Sequence, residues 1–457
     1  MKNIFYIVSI LLFMLTSQSC ESLIDIDLPN DQINTPDVFN DIQTANSALI
    51  NLYSNFRDQS IYSGNPLGIG TLLSLYTDEL ENLTPSSSSI GYFAMYNNQI
   101  KSSSNNISTI WTNSYTHIYA INSFIEGLTA STTINSKEKE IPLAEALLLR
   151  VLYYQALTQL FGDIPYVVST NYKSNTKIGK TNSLEILRLL ETDLLEIEQK
   201  LNYQYRGGNK YYPNKSVVEL VIAKNYLIQK QYSLAEKYAK KVIESPLYSI
   251  DMDINKVFKK DAKSTLWHLS NINNTGAPTL EATNNIILTT PSFQLSENLL
   301  NIYSSNDLRK KNWINTITLS NKQYFYAYKY KNRAANQDEN SIIFRLEEAY
   351  FILVEALIYQ QKFGQATPLL NIIRNRAGLP NLTNTLNQEQ LIAEMLNESK
   401  REFFTEHGRR FFDLKRNDKL SLLNQKKTNW QSIHALFPYP EKETILNPNL
   451  LPQNNGY

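Results

Sequence analysis

Residues 216–244 read SVVELVIAKNYLIQKQYSLAEKYAKKVIE. Ser216 with Glu219, and Ser233 with Glu236, are two hydroxyl-x-x-carboxylate pairs, the sequence form of a capping box that satisfies the free N–H groups at a helix start. The first helix must end near Lys230, only a few residues before the second begins. Helices joined so tightly fold back on each other as a hairpin. The plan recurs downstream, where Lys362-Phe363-Gly364-Gln365-Ala366 parallels Gln231-Tyr232-Ser233-Leu234-Ala235. Each has an aromatic three residues before an alanine that begins a second helix, and small residues there let two helices approach closely.

The repetition resembles the tetratricopeptide plan of helix pairs stacked into a superhelix, with its full consensus only partly met. Upstream, Ala144 to Phe161 (AEALLLRVLYYQALTQLF) is apolar nearly all round and reads as a helix buried in the interior. It stops at Gly162, and Asp163-Ile164-Pro165 turns the chain. Asn182 with Glu185 forms a capping pair ahead of a stripe of Leu187, Leu190, Leu194, Ile197 and Leu201. Ile42, Ala45, Leu49, Leu52 and Phe56 give an earlier amphipathic helix. Between Asp251 and Asn340 the helical period weakens and Asn, Thr and Ser dominate, which predicts strands and loops. The expected fold class is mostly α, a tetratricopeptide-like helix-pair superhelix with an irregular loop and short-strand insert at about 251–340.

The chain has 457 residues, with 44 Lys and Arg against 43 Asp and Glu, a formal charge of +1. No basic excess exists to neutralise phosphates, so nucleic acid is not an expected partner. The single cysteine, Cys20, follows a short basic start (Lys2) and an almost entirely apolar run from Ile4 to Leu15. That layout is a secretory signal peptide, residues 1–19, too short in its apolar part to anchor across a bilayer. A lone cysteine at the processing point has no disulfide partner, and the expected use is lipidation of Cys20 as in a bacterial lipoprotein. Each buried methylene then adds about 0.8 kcal/mol, so two or three chains make a durable anchor. Ser17 stands where such sites usually carry leucine; an ordinary signal peptide with an incidental cysteine is the alternative. Residues 20–40, polar and carrying Pro29 and Pro36, read as a tether, and 41–457 as one domain.

No strong catalytic signature appears. The four histidines (His117, His268, His407, His434) lie far apart, no H-E-x-x-H or G-x-S-x-G occurs, and Gly64, Gly68 and Gly70 lack phosphate-loop spacing. Asp78, Glu79 and Glu81 offer a carboxylate pair for glycoside hydrolysis, set against the commoner reading as solvated charge at a helix end. No catalytic residue, metal or cofactor is expected. Binding features are richer: aromatics make up 11% of the chain, with 29 Tyr. The Ser/Asn-rich stretch from Thr84 to Asn106 carries Tyr92, Phe93 and Tyr96 beside Asn97 and Asn98. Rings meet the C–H faces of a sugar and amides meet its hydroxyls; the same rings could equally pin the loop to the core. Tyr324, Tyr326, Tyr328 and Tyr330 alternate at period 2 and in a strand would share one face, as a stacking platform or as packing. Trp267 and Trp313 fall in the irregular insert, where an exposed indole would suit stacking.

From Phe344 onward the chain resembles the SusD/RagB family of outer-membrane nutrient-binding lipoproteins. Arg345, Glu348, Tyr350, Glu355 and Ala356 match its R-x-x-E-x-Y…E-A helix, and Asn371, Arg374, Arg376, Ala377 and Gly378 its N-x-x-R-x-R-A-G segment. Glu402, Glu406, Gly408, Arg410, Asp413, Leu414 and Arg416 match E-x-x-x-E-x-G-x-R-x-x-D-L-x-R, and Gln453 to Tyr457 is similar to the usual ending. Gly162 to Pro165 and Asp307 with Arg309 also fit. The resemblance implies a non-enzymatic, surface-exposed lipoprotein, anchored through its lipid in the outer membrane and facing the exterior. It would capture a nutrient, typically a glycan, and pass it to a TonB-dependent SusC-like β-barrel transporter. A peptide receptor of the same type, a transporter-bound scaffold with no ligand of its own, and a glycoside hydrolase are the alternatives. The charged C-terminal motif is expected to be structural, its Arg401, Arg410 and Arg416 pairing among Glu402, Glu406 and Asp413.

Overall fold

A computed structural model describes residues 38–271, 276–383 and 385–457. Cys20, the expected signal peptide and all but the end of the tether lie outside the described residues. Helix α1 (Ile42–Gln59) begins at Asp41, whose carboxylate accepts from the Gln43 and Thr44 N–H groups, and it buries Ala45, Leu49, Leu52, Tyr53 and Phe56. Helices α2 (Ile69–Tyr76) and α3 (Tyr92–Tyr96) flank a connector, and two 26-residue helices follow, α4 (Asn105–Ala130) and α5 (Ser136–Phe161). The α5 run from Ala144 is buried nearly all round as its composition requires, and it ends at Gly162 with φ 77, a conformation that favours glycine. Asn182 caps α6 (Ser183–Lys200) by accepting from the Leu184 and Glu185 N–H groups, and the predicted leucine stripe is buried.

The hairpin forms as α7 (Lys215–Ile228) and α8 (Tyr232–Ile243), and its later counterpart as α9 (Leu346–Tyr359) and α10 (Phe363–Arg376). Both turns are built alike. Lys230 (φ 59) and Gln361 (φ 60) adopt the left-handed conformation after the helix. The next N–H reaches back to Tyr226 O (2.8 Å) or Leu357 O (2.9 Å), closing a Schellman motif over the orphan carbonyls. The stacked rings of Tyr232 and Tyr359, 4.6 Å apart, join one pair to the next. The caps differ from expectation. Asn214, two residues before Ser216, caps α7 through the Val217 N–H, and Gln231 opens α8 with no side-chain cap. Successive helices pack on their neighbours from α4 through α9; α11 (Gln388–Phe403) closes the stack against α9, and α12 (Arg409–Arg416) packs on α11 and α2.

Small antiparallel sheets form within the insert and between it and flanking segments. Strand β1 (Leu80–Asn82) pairs with β3 (Phe293–Leu295), β2 (Thr265–Leu269) with β6 (Ser341–Arg345), and β4 (Ile314–Leu319) with β5 (Lys322–Ala327). The β4–β5 hairpin turns through Ser320 and Asn321, both with positive φ, as a two-residue hairpin turn requires.

A buried charge network fastens the insert to the terminal helices. Glu402, on α11, lies in ion-pair contact with Arg309, Arg345 and Arg376, at 3.0 Å and 2.6 Å for the first two. Arg309 is fully buried and also takes Asp307 (2.9 Å) and Glu398 (2.7 Å). Glu406 accepts from Arg345 and Lys329, and Lys329 also donates to the Glu402 and Phe404 carbonyls. On α12, Arg410 pairs with Asp78 (3.0 Å), and Arg416 with Glu355 (2.6 Å) and Asp413 (2.7 Å). The motif charges are therefore structural, as expected, but most of their partners are distant segments rather than one another.

Breaking a buried pair leaves an unpaired charge and costs about 3–5 kcal/mol. Glu402→Gln, which takes the shared carboxylate away from three buried guanidiniums, is expected to lose that much in urea unfolding, whereas Lys230→Gln, at an exposed pair with Asp418, loses under about 1 kcal/mol. Burial pushes the Asp413 carboxyl up, but Arg409 and Arg416 outweigh it and leave it at about 2; Glu398, Glu402 and Glu406 are likewise held below the usual range. Carboxyls depressed on folding give stability that is present above their unfolded range and lost as pH falls. Thermal midpoints should drop steeply between about pH 4 and pH 2, and a flat profile across that window contradicts the network's role.

Candidate functional site

The connector after α2 sets the surface. Asp78 is held by Lys400 (2.8 Å) and Arg410, and Ser296 ties β3 to the same turn through the Asp78 and Glu79 carbonyls. The chain then enters β1, paired with β3 so that Glu81 opposes Gln294, and Gln294 Nε2 donates to Glu81 at 3.0 Å. Helix α3 packs on β1, and β3 packs beside β5. One continuous surface thus brings together two groups that the sequence places more than 200 residues apart.

On α3 the residues divide by face. Tyr92 and Met95 turn inward; the Tyr92 hydroxyl donates to Pro66 O (2.9 Å) and its ring meets Phe293 edge-on at 5.7 Å. Phe93 and Tyr96 stay half-buried. The Lys427 ammonium lies 3.7 Å from the centre of the Tyr96 ring and donates to Leu75 O (2.8 Å). Burial brings that ammonium down to about 7. Asn98, with φ 52, is buried and donates to Tyr76 O at 3.0 Å, and Asn429 donates to Asn97 O. Tyr92 and Asn98 therefore pin the loop, while Phe93 and Tyr96 stay partly exposed, Tyr96 with Lys427 over one face of its ring.

Tyr324 is half-buried on β5 with Lys322 over its ring at 5.1 Å; Tyr326 is buried and meets Tyr328 edge-on. The strand ends at Ala327, so the four tyrosines do not form one ladder, and Tyr330 accepts from the Ile342 N–H inside the protein. Trp267 and Trp313 are corrected more firmly. Trp267 is wholly buried, stacks on Phe56 and donates to Tyr211 O; Trp313 is 1% exposed and donates to Ile254 O. Neither indole has a face open to a ligand.

Asp78 and Glu79 are also not solvated charge. Burial opposes it, but Arg410 and Lys400 hold Asp78 well below the usual carboxylate range, whereas burial pushes Glu79 up to about 7. With both 4% exposed or less, neither is placed to flank a glycosidic bond. Among the described residues no group of three or more His, Cys, Asp or Glu is arranged to hold a metal ion, and no helix is long and apolar enough to cross a membrane. Gln294 and Lys427 gave no sequence signal, because long-range pairing alone brings them to Glu81 and Tyr96.

The SusD family profile matches residues 166–457, and a profile described as "Starch-binding associating with outer membrane" matches residues 25–227. The chain belongs to the SusD family. "SusD-like protein P2" of Formosa agariphila is 23% identical over 421 residues, covering 77% of this chain and 81% of that protein. A SusD superfamily protein from Bacteroides vulgatus superposes with a TM-score of 0.78 at 17% identity, over 91% of this chain and 99% of the other. Surface glycan-binding protein A from Bacteroides thetaiotaomicron, solved with laminarihexaose, gives 0.75 at 19% identity, over 90% and 99%. The expected helix-pair frame with small strands is the fold these SusD relatives share. The profile that matches residues 25–227 is thus described by starch binding and by association with the outer membrane.

The division of aromatics is open to a simple measurement. Trp267→Ala and Trp313→Ala are each expected to cost about 3–5 kcal/mol in urea unfolding, while the half-buried Phe93→Ala and Tyr96→Ala cost less than about 2 kcal/mol. Equal losses in all four would contradict the assignment.

Proposed function

We propose that this protein captures an oligosaccharide on the surface formed by α3, the β1–β3 pair and β5, and delivers it to a TonB-dependent SusC-like β-barrel transporter. Acylated Cys20 holds it in the outer membrane facing the exterior; residues 20–40 act as the tether and 41–457 as a single binding unit. The observation that carries the reading is the pair of half-buried rings, Phe93 and Tyr96, beside the hydrogen-bonded Glu81–Gln294 pair on a connector pinned by buried charge. The rings suit the C–H faces of a pyranose, and the carboxylate and amide suit its hydroxyls. Tyr324 extends the same surface. A relative solved with laminarihexaose supports a glycan over a peptide. The burial of Asp78 and Glu79 weighs against a hydrolase.

Each stacked ring contributes about 1 kcal/mol beyond area burial, so affinity of micromolar order, about −8 kcal/mol, is expected. Isothermal titration of the mature protein against an oligosaccharide panel that includes laminarihexaose should find one saturable ligand. A Phe93→Ala/Tyr96→Ala variant should weaken that ligand at least about tenfold. Unchanged affinity in that variant removes the surface from the site, and saturable binding of peptides alone favours the peptide receptor. For the anchor, cells fed radiolabelled palmitate should label the wild-type chain and not Cys20→Ala; label persisting in that variant would sink the lipoprotein reading.

A further inference from the structure

An open groove of about 610 Å³ lies away from the aromatic surface, between the end of α5, the start of α6 and the C-terminal tail. Its size suits a small-molecule ligand. Leu187, Ile228 and Leu436 supply apolar lining. Two lysines also line it. Lys415 Nζ donates to Ala435 O (2.8 Å) and to Gln159 O at the end of α5, which uses two of its three protons. Lys180 Nζ donates to Pro452 O at 2.7 Å. Neither forms an ion pair with a carboxylate of the described residues, unlike Lys329, Lys400 and the buried arginines of the network. Desolvation alone brings Lys415 down to about 7, so a nearby anion would be strongly favoured. The Tyr439 ring lies 4.9 Å from Lys180 Nζ and the Phe411 ring 5.9 Å from Lys415 Nζ, both farther than the 3.7 Å at which Tyr96 covers Lys427, the other lysine here without a carboxylate partner.

The groove also holds spare acceptors. Asp163 gives Oδ1 to Asn182 Nδ2 and the Ser183 N–H, leaving Oδ2. Asn454 donates through Nδ2 to the Phe161 and Phe437 carbonyls, leaving its own carbonyl oxygen. Unpaired ammonium protons beside free acceptors call for one ligand that carries both an anion and hydroxyl donors. We propose that this groove is a second binding site, for a polyhydroxylated carboxylate of the uronic-acid type. Its carboxylate sits on Lys415 and Lys180, and its hydroxyls donate to Asp163 and Asn454.

No residue of this groove belongs to the aromatic surface, so the two readings fail separately. The probe is D-glucuronate, titrated into the mature protein by calorimetry or by amide chemical shifts, with D-glucose and inorganic sulfate as comparators. Glucuronate should saturate, glucose should bind at least about tenfold more weakly, and Lys415→Met and Lys180→Gln should each lose about tenfold in affinity. Phe93→Ala/Tyr96→Ala should leave glucuronate binding unchanged. Absence of saturable binding, equal affinity for glucose, sulfate competing as well as glucuronate, or full affinity in both lysine variants would each overturn the proposal. Thermal melting confirms that Lys415→Met folds, and the half-exposed Lys180→Gln keeps the test standing if it does not.

Discussion

Glu402 is the point on which the structure turns. A carboxylate fully removed from water is tolerable only when charge and hydrogen bonds surround it, and here three guanidiniums from separate segments do so. Arg309 comes from the insert, Arg345 from the end of β6 and Arg376 from the end of α10. Satisfying one buried charge therefore fixes the relative placement of three stretches that share no local contact in sequence. Apolar residues could fill the same space with less desolvation, so the network contributes geometry more than net stability.

The same device reaches the proposed ligand-facing side. Asp78 follows α2 directly, and its pairs with Lys400 and Arg410 clamp the connector that leads into β1 and α3. Phe93 and Tyr96 are thereby carried on a loop whose root is immobilised by buried charge, while Tyr92 and Asn98 fix its tip. A binding surface gains from such anchoring because rings already held in place lose little freedom when a ligand arrives. The helical frame is thus the support, and the connector after α2 together with β3 and β5 of the insert forms the proposed recognition surface.

The helices were legible because apolar periodicity and turn chemistry are local. The Lys230 and Gln361 turns follow from sequence spacing, and the α5 run could only be interior. Their caps were less so: Asn214 and Ser216 are both cap residues by type, two positions apart, and the pattern does not say which opens the helix. The insert misled for a physical reason. Its Asn and Thr content argues for exposure, yet Trp267 and Trp313 are buried by partners such as Phe56 and Phe258 far along the chain. Asp78 read as solvated because its counterions lie 322 and 332 residues away. The Phe93–Tyr96 loop was visible as a ring-and-amide cluster, but only tertiary structure separates Tyr92, which is fully buried, from Tyr96, which stays partly exposed. Gln294 and Lys427 reach that surface by long-range pairing and had no signature at all.

The central claim is that motif charges act on the fold by pairing across segments. A double-mutant cycle on Arg345 and Glu402, with Met and Gln as replacements and urea unfolding as the readout, tests it most directly. The account predicts a coupling free energy of about 2–3 kcal/mol, with the double variant far less damaged than the sum of the singles. Strictly additive losses would contradict it.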